Sequence, residues 1–345
     1  MAITRRACRR VGDGQKAAEK SLFCKYIVFF LLLQTIMREM EIRTNGTKAW
    51  LLAARPKTLA GAAVPVLMGL SMAFSDSSRF VVGGKPFLFV PAVLCLLFAF
   101  VMQINANFIN DYIDFKKGTD DETRLGPLRA CAQGWITPDV MKRGIALTSV
   151  LAALVGLPLV AYGGIEMIGV GVLCLVFCFL YTTHFSYLGL GDLLVLVFFG
   201  VVPVCVTYYL QMQTLTKDVF YASLACGLVV DSLLIVNNYR DRDNDRRAGK
   251  KTLVVRLGTK VSEQIFRFLG LVACHLGLVF FFQGAYFTFF LPFVYLLFHA
   301  HTYRQMKKIG SGKALNGILA ACARNIMLYG ILFCTGVLLD AFFLR

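Results

Sequence analysis

Residues 86–118 read Pro-Phe-Leu-Phe-Val-Pro-Ala-Val-Leu-Cys-Leu-Leu-Phe-Ala-Phe-Val-Met-Gln-Ile-Asn-Ala-Asn-Phe-Ile-Asn-Asp-Tyr-Ile-Asp-Phe-Lys-Lys-Gly. The apolar part, 86–109, is long enough to cross a hydrocarbon core of about 30 Å as an α-helix. A strand would alternate in polarity, and this run does not. Its end is different: Asn107, Asp111 and Asp114 recur at spacings of four and three, which stack them on one helical face. One segment therefore predicts both a membrane span and a polar nest at its mouth.

Outward from it, comparable runs occur at 57–75, 143–162, 164–182, 191–210, 219–238, 262–282, 284–302 and 318–343, nine spans in all. With 57% hydrophobic and 16% charged residues, the chain has too little polar surface to coat a soluble globule. The fold class is all-α: a polytopic integral membrane bundle. A net charge of +16 does not point to nucleic acid, because the basic residues sit in short loops between apolar runs rather than along one face. The 11 cysteines are spread singly, without metal or disulfide spacing, and read as small apolar fillers. His184, His275, His299 and His301 show no ligand spacing and read as structural or interfacial.

Residues 1–47 stand apart from the transmembrane domain at 48–345. They combine Arg5, Arg6, Arg9 and Arg10 with a short apolar stretch from Phe23 to Leu33, like a signal-type segment. Met37 or Met40 would make natural starts, so the segment is expected to be a dispensable extension. The loop after the sixth span holds Arg240, Arg242, Arg246, Arg247, Lys250, Lys251, Arg256 and Lys260, whereas the loop near Gln211 to Asp218 offers Lys217. The positive-inside rule places the basic loops in the cytoplasm and, with nine spans, the C-terminus outside.

The polar nest occurs twice. Asn237-Asn-Tyr-Arg-Asp241-Arg-Asp-Asn-Asp245 closes the sixth span, with the same 130-residue separation from Asn107 to Asn237 and from Asp111 to Asp241. A duplicated four-helix unit plus a ninth helix would bring both copies to one face of the bundle. Carboxylates at a span end cost several kcal/mol unless a cation compensates, so they mark a functional site. Mg²⁺ is the natural compensator, a hard ion that takes one or two carboxylates and fills its shell with water and phosphate oxygens. Two oxygen nests with Lys and Arg beside them describe a diphosphate site. Cleaving an allylic diphosphate builds negative charge on the leaving group, which metal ions and cations stabilise. The carbocation left behind requires a dry, aromatic-rich surrounding. A cation transporter is the rival reading, though transport sites lie nearer the bilayer midplane.

The chain resembles the UbiA superfamily of intramembrane aromatic prenyltransferases over about residues 48–345. The resemblance is carried by Ala54-Arg55-Pro56-Lys57-Thr58, by Asn107 to Gly118, by Arg124-Leu-Gly-Pro-Leu-Arg129, by Phe198-Phe-Gly200 and by Asn237 to Leu253. Lys116-Lys117-Gly118 followed by the Arg124 to Arg129 segment resembles the branch that uses 1,4-dihydroxy-2-naphthoate; 4-hydroxybenzoate, homogentisate and haem branches are the alternatives. The resemblance implies Mg²⁺, a polyprenyl diphosphate donor, loss of CO₂ and diphosphate, and the cytoplasmic membrane of a bacterium. It also implies that Asn107, Asp111, Asp114, Asp241 and Asp245 hold metal and diphosphate, Asp111 and Asp241 above all, with Asn237 ordering the second nest.

Lys116, Arg240 and Lys250 are diphosphate contacts or topological anchors. Arg55, at the mouth of the first span, pairs with an acceptor carboxylate or with diphosphate, or else snorkels to headgroups. Arg124 and Arg129 flank a stiff Gly126-Pro127 turn that could hold two guanidinium groups over the site, or belong to a solvated loop. The segment Tyr181 to Asp192 departs from the family's usual Tyr-Thr-Gly-Gly-Pro loop, and Gln133 and Asp192 lie near expected site openings without an assigned role.

Overall fold

The computed structural model describes residues 41–79, 86–118 and 124–343, and within them all regular structure is helical. Eight helical segments are long and apolar enough to span a membrane: α1 (Thr47–Ser77), α2 (Phe89–Lys116), α3 (Pro138–Gly163), α4 (Glu166–Phe185), α5 (Gly191–Met212), α6 (Lys217–Arg247), α7 (Leu253–Phe282) and α9 (Leu315–Phe343). The predicted span at 284–302 is also helical and runs from the Asp340 end of α9 to the nest end of α6, where Gly310 O accepts from Arg242, but it is broken once. It folds as two pieces, Tyr286–Phe290 and Phe293–Ile309, together called α8. Pro292 lacks the amide that an unbroken helix needs, and Arg304, Lys307 and Lys308 in the second piece keep it from being uniformly apolar.

The first span also starts earlier than 57. Thr47–Ala54 forms a short helix, Arg55 turns the chain in a left-handed conformation (φ 51°), and Pro56–Thr58 winds into the long helix Leu59–Arg79. Of the predicted extension, 1–40 lies outside the described residues. Asn45 is fixed to the 130s loop: its amide donates to Trp135 O at 2.7 Å and its Oδ1 accepts from Thr137 N at 3.0 Å.

α6 is the central helix. Two thirds of its apolar window is buried (67%), against 6% for α4, which faces outward. Helices without a water-driven attraction between them need close contact, and small residues permit it. In α5 a π-turn at Val197–Val201 presents Gly200 to α6, where a Cβ would stand 2.5 Å from Ser223 O and 2.7 Å from Gly227 Cα. The backbones therefore touch. Leu147, Leu297 and Phe282 are exposed on the rim, as expected of surfaces that meet lipid.

Several buried polar groups are paired across helices, as an apolar surrounding demands. Asn105 donates to Ser149 Oγ at 3.0 Å and accepts from Thr148 Oγ1 at 2.9 Å. Asp340 of α9 accepts from the amides of Phe287 and Thr288 at 3.0 and 2.7 Å, capping the start of α8. His299 bridges Tyr295 OH and Phe266 O, the structural role expected of it. All nine cysteines among the described residues are free, most of them buried.

Candidate active site

The last turns of α2 and α6 carry the two nests, and they converge on one aromatic ring. Lys117, just past α2, sits 4.0 Å above the Tyr187 ring, and Lys250, just past α6, sits 5.6 Å from it. Tyr187 lies between α4 and α5, with its carbonyl accepting from Lys251 N at 3.1 Å and with Leu188 O accepting from Arg256 at 2.7 Å. The segment that departs from the family loop thus joins the two halves. Burial pushes the Lys117 ammonium below its ordinary pKa, opposed by Asp114 and assisted by Lys250. Burial likewise raises the Tyr187 phenol, opposed by Lys250 and reinforced by Asp114 and Asp245. Groups from both nests share one electrostatic neighbourhood.

On the α2 side each predicted residue has a distinct place. Asn107 donates to Ala54 O at 2.9 Å and to Thr58 Oγ1 at 3.0 Å, locking the turn at Arg55. Asn110 accepts from Thr182 of α4. Asp111, 1% exposed, accepts the successive amides of Ala130 and Cys131, both at 2.8 Å. Its carboxylate is the anchor of the loop. Asp114 pairs with Arg129 of that loop at 2.7 Å. Lys116 is exposed, and Arg124 donates to Pro127 O at 2.9 Å, closing the Gly126-Pro127 turn.

On the α6 side Arg240 organises the nest. Buried to 2% exposure, it donates to Asp241 through Nε at 2.7 Å and Nη2 at 2.5 Å, to Asn237 at 2.8 Å and to Asn316 of α9 at 2.8 Å. The guanidinium has five N–H donors, and these bonds use most of them. Asn316 in turn donates to Leu125 O at 2.8 Å, bringing the 124–129 loop over the second nest. Asp245 is buried, with Lys250 Nζ 3.8 Å away. Sequence reasoning missed Asn316, Tyr187 and the internal role of Arg240, because each depends on a contact between segments far apart in the chain.

Among the described residues no three His, Cys, Asp or Glu side chains converge as a self-contained metal cage. The donors are instead paired carboxylates on two facing helix ends, each set already beside a guanidinium or ammonium. An all-oxygen set that draws cations, with too few ligands to enclose one, fits Mg²⁺ shared with a phosphate-bearing ligand rather than a buried structural ion. An apolar cleft of about 410 Å³ lies between α1 and α9, lined by residues including Leu67, Phe74, Phe87, Ile331 and Leu338, toward the end of α2 opposite the nest.

Two acidic helix ends converging at one end of an apolar helical bundle suit an intramembrane prenyltransferase. The chain belongs to the UbiA prenyltransferase family, whose profile matches residues 62–337. It is 40% identical over 233 residues to 1,4-dihydroxy-2-naphthoate octaprenyltransferase of Escherichia coli (strain K12), covering 64% of this chain and 72% of that one. It is 36% identical over 231 residues to the Haemophilus influenzae protein of the same name, covering 64% and 73%. Among solved structures, the apo UbiA homolog from Aeropyrum pernix K1 matches with a TM-score of 0.58 at 16% identity, over 81% of this chain and 98% of that one. The Archaeoglobus fulgidus homolog bound to GPP and Mg²⁺ matches with a TM-score of 0.56 at 13% identity, over 83% and 99%. These two establish the shared fold.

Proposed function

We propose that this membrane prenyltransferase transfers a polyprenyl chain from polyprenyl diphosphate to 1,4-dihydroxy-2-naphthoate, with loss of CO₂ and diphosphate, giving demethylmenaquinol. The acceptor is that named for the bacterial relatives. The observation that carries the chemistry is the meeting of Lys117 and Lys250 at Tyr187, which supports one diphosphate site built from both nests.

Asp111, Asp114, Asp241 and Asp245 would hold Mg²⁺, which when bound neutralises the diphosphate and makes it a better leaving group. Lys116, Lys117 and Lys250 would supply ammonium groups for phosphate oxygens, with Arg124 and Arg129 as further diphosphate contacts. Asn107 and Asn237 orient the two helix ends. Arg55, at the left-handed turn within α1, would pair with the acceptor carboxylate or with diphosphate. The apolar spans around the nests take the isoprenoid chain and keep water from the allylic cation. The loops bearing the nests face the cytoplasm, as their basic residues favour. The two-repeat organisation accounts for matching motifs on α2 and α6.

Purified protein in lipid nanodiscs, given a polyprenyl diphosphate with the naphthoate, 4-hydroxybenzoate or homogentisate, tests the proposal by mass spectrometry of products. Decarboxylative prenylation of the naphthoate is expected. Product from another acceptor alone would reassign the substrate, and cation flux in liposomes without diphosphate release would remove the enzyme reading.

A further inference from the structure

A second pair of carboxylates lies deeper in the bundle. Asp231, on α6, is 6% exposed, and Asp192 is in the first turn of α5. A Cβ on Gly191 would stand 3.5 Å from Leu234 Cδ2 and 3.8 Å from the Tyr181 hydroxyl. The end of α4, the start of α5 and the Leu234 face of α6 therefore meet, and Asp231 lies one turn before Leu234 on that face. Asp192 adjoins Gly191 at this contact, so both carboxylates belong to one junction of α5 with α6. Tyr181, a titratable group of α4, reaches the same junction with its hydroxyl.

Oδ1 of Asp192 and Oδ1 of Asp231 are shut off from solvent and meet no hydrogen-bond partner among the described residues. The large majority of buried polar atoms are hydrogen-bonded, and a buried carboxylate oxygen left without a donor is destabilising. Two neighbouring carboxylates relieve that cost by holding one proton between them. Asp231 stands about 9 Å along the helix axis from Asn237, at 1.5 Å per residue. A fused aromatic ring can span that gap.

We infer that Asp192 and Asp231 are the acceptor-side catalytic groups, a carboxyl–carboxylate pair that binds the hydroxyl ortho to the attacking ring carbon and holds its proton during transfer. The inference rests on the proposed hydroxyaryl acceptor. The ring carbon forms a bond to the allylic carbon while the carbon–oxygen bond breaks and its electron pair leaves with diphosphate. The hydroxyl proton passes to the charged carboxylate, and its O–H electrons form the carbonyl of a β-keto acid. Loss of CO₂ returns an electron pair to that oxygen as an enolate, which recovers the proton from the pair. The proton is lent, not consumed.

Asp231→Asn and Asp192→Asn in the full chain, in nanodiscs, test this against wild type. Each is expected to lower kcat about a hundredfold, within the range of general acid–base catalysis. The donor KM should stay within twofold, and the acid limb of the kcat–pH profile should vanish. The unfolding temperature should not fall, since a neutral amide replaces a buried carboxylate. Turnover within threefold of wild type overturns the inference. So does a lowered kcat with its acid limb intact, which would mark a structural role. If one variant fails to fold, the other decides, because each removes half of the pair. If wild type prenylates 4-hydroxybenzoate but not the naphthoate, the proposed acceptor fails, and the same variants judge the pair with the working acceptor.

Discussion

Arg240 donates from Nη1 to Asn316 Oδ1 at 2.8 Å, and Asn316 passes the connection on to Leu125 O at 2.8 Å. The second nest is thereby tied to the loop that follows the first. Asn316→Leu removes both bonds while roughly keeping size. A buried bond to a charged donor contributes about 1.5–3 kcal/mol, so a stability loss of this order is expected in detergent unfolding. The donor KM should rise several-fold with kcat less affected, because the loop moves while the carboxylates stay. Unchanged KM in steady-state kinetics would show that the loop does not shape donor binding.

Asp111 gives a second prediction through its two amide bonds. Asp111→Asn keeps the shape but sets an NH₂ against a backbone N–H, leaving a buried donor unsatisfied. That costs about 1–3 kcal/mol. Loss of turnover is therefore expected together with a lower unfolding temperature. A side chain that served the metal alone would lose activity with no loss of metal-free stability.

The helices and the paired nests were legible in the sequence because both are periodic: apolar runs have a length set by the bilayer, and Asn107, Asp111 and Asp114 share a face by spacing alone. Local patterning could not show that Arg240 is spent inside the protein or that Asp111 anchors the loop at Ala130 and Cys131. Those partners are set by tertiary packing. The span at 284–302 was legible too, but its break at Pro292 and its extension to Ile309 were not, because an apolar average does not register a missing backbone donor. Asp192 attracted notice only by its position, and Asp231, without a repeat partner, drew none.

Tyr187 separates ring from hydroxyl. If its role is to sit between two ammonium groups, Tyr187→Phe keeps the attraction and Tyr187→Ala loses it. Cation–π contacts contribute about 0.5–1 kcal/mol each at exposed sites. Tyr187→Phe should stay within twofold of wild-type kcat/KM, and Tyr187→Ala should fall about tenfold. Equal losses in the two would assign the role to the hydroxyl.

Lys117 yields a pH dependence. Burial lowers its pKa from the ordinary 10.5, so it sheds its proton at a lower pH than a solvated lysine. Between the lowered value and 10.5 the unfolded chain binds more protons than the folded one, and Lys117 makes stability rise with pH in that window. Catalysis moves oppositely, because the site loses a cation there. The donor KM should climb at the alkaline end, and Lys117→Arg, whose charge persists, should hold it down. Parallel KM–pH curves for wild type and Lys117→Arg would remove Lys117 from donor binding.

The contact of α5 with α6 sets the last expectation, one of packing rather than chemistry. A Cβ at Gly200 would stand 2.5 Å from Ser223 O and 2.9 Å from Gly227 N, both backbone atoms that cannot swing aside. Gly200→Ala must therefore push α5 off α6, and overpacking of this kind costs about 1–3 kcal/mol. Gly171, on outward-facing α4, has nothing within 4 Å of its added Cβ. Gly171→Ala should leave the unfolding temperature unchanged or raise it slightly, since alanine favours the helix. Because Asp192 and Asp231 sit on the same two helices, the displacement in Gly200→Ala should also depress kcat more than donor KM. Equal unfolding temperatures for the two alanine variants would show that the helices are not in contact at Gly200.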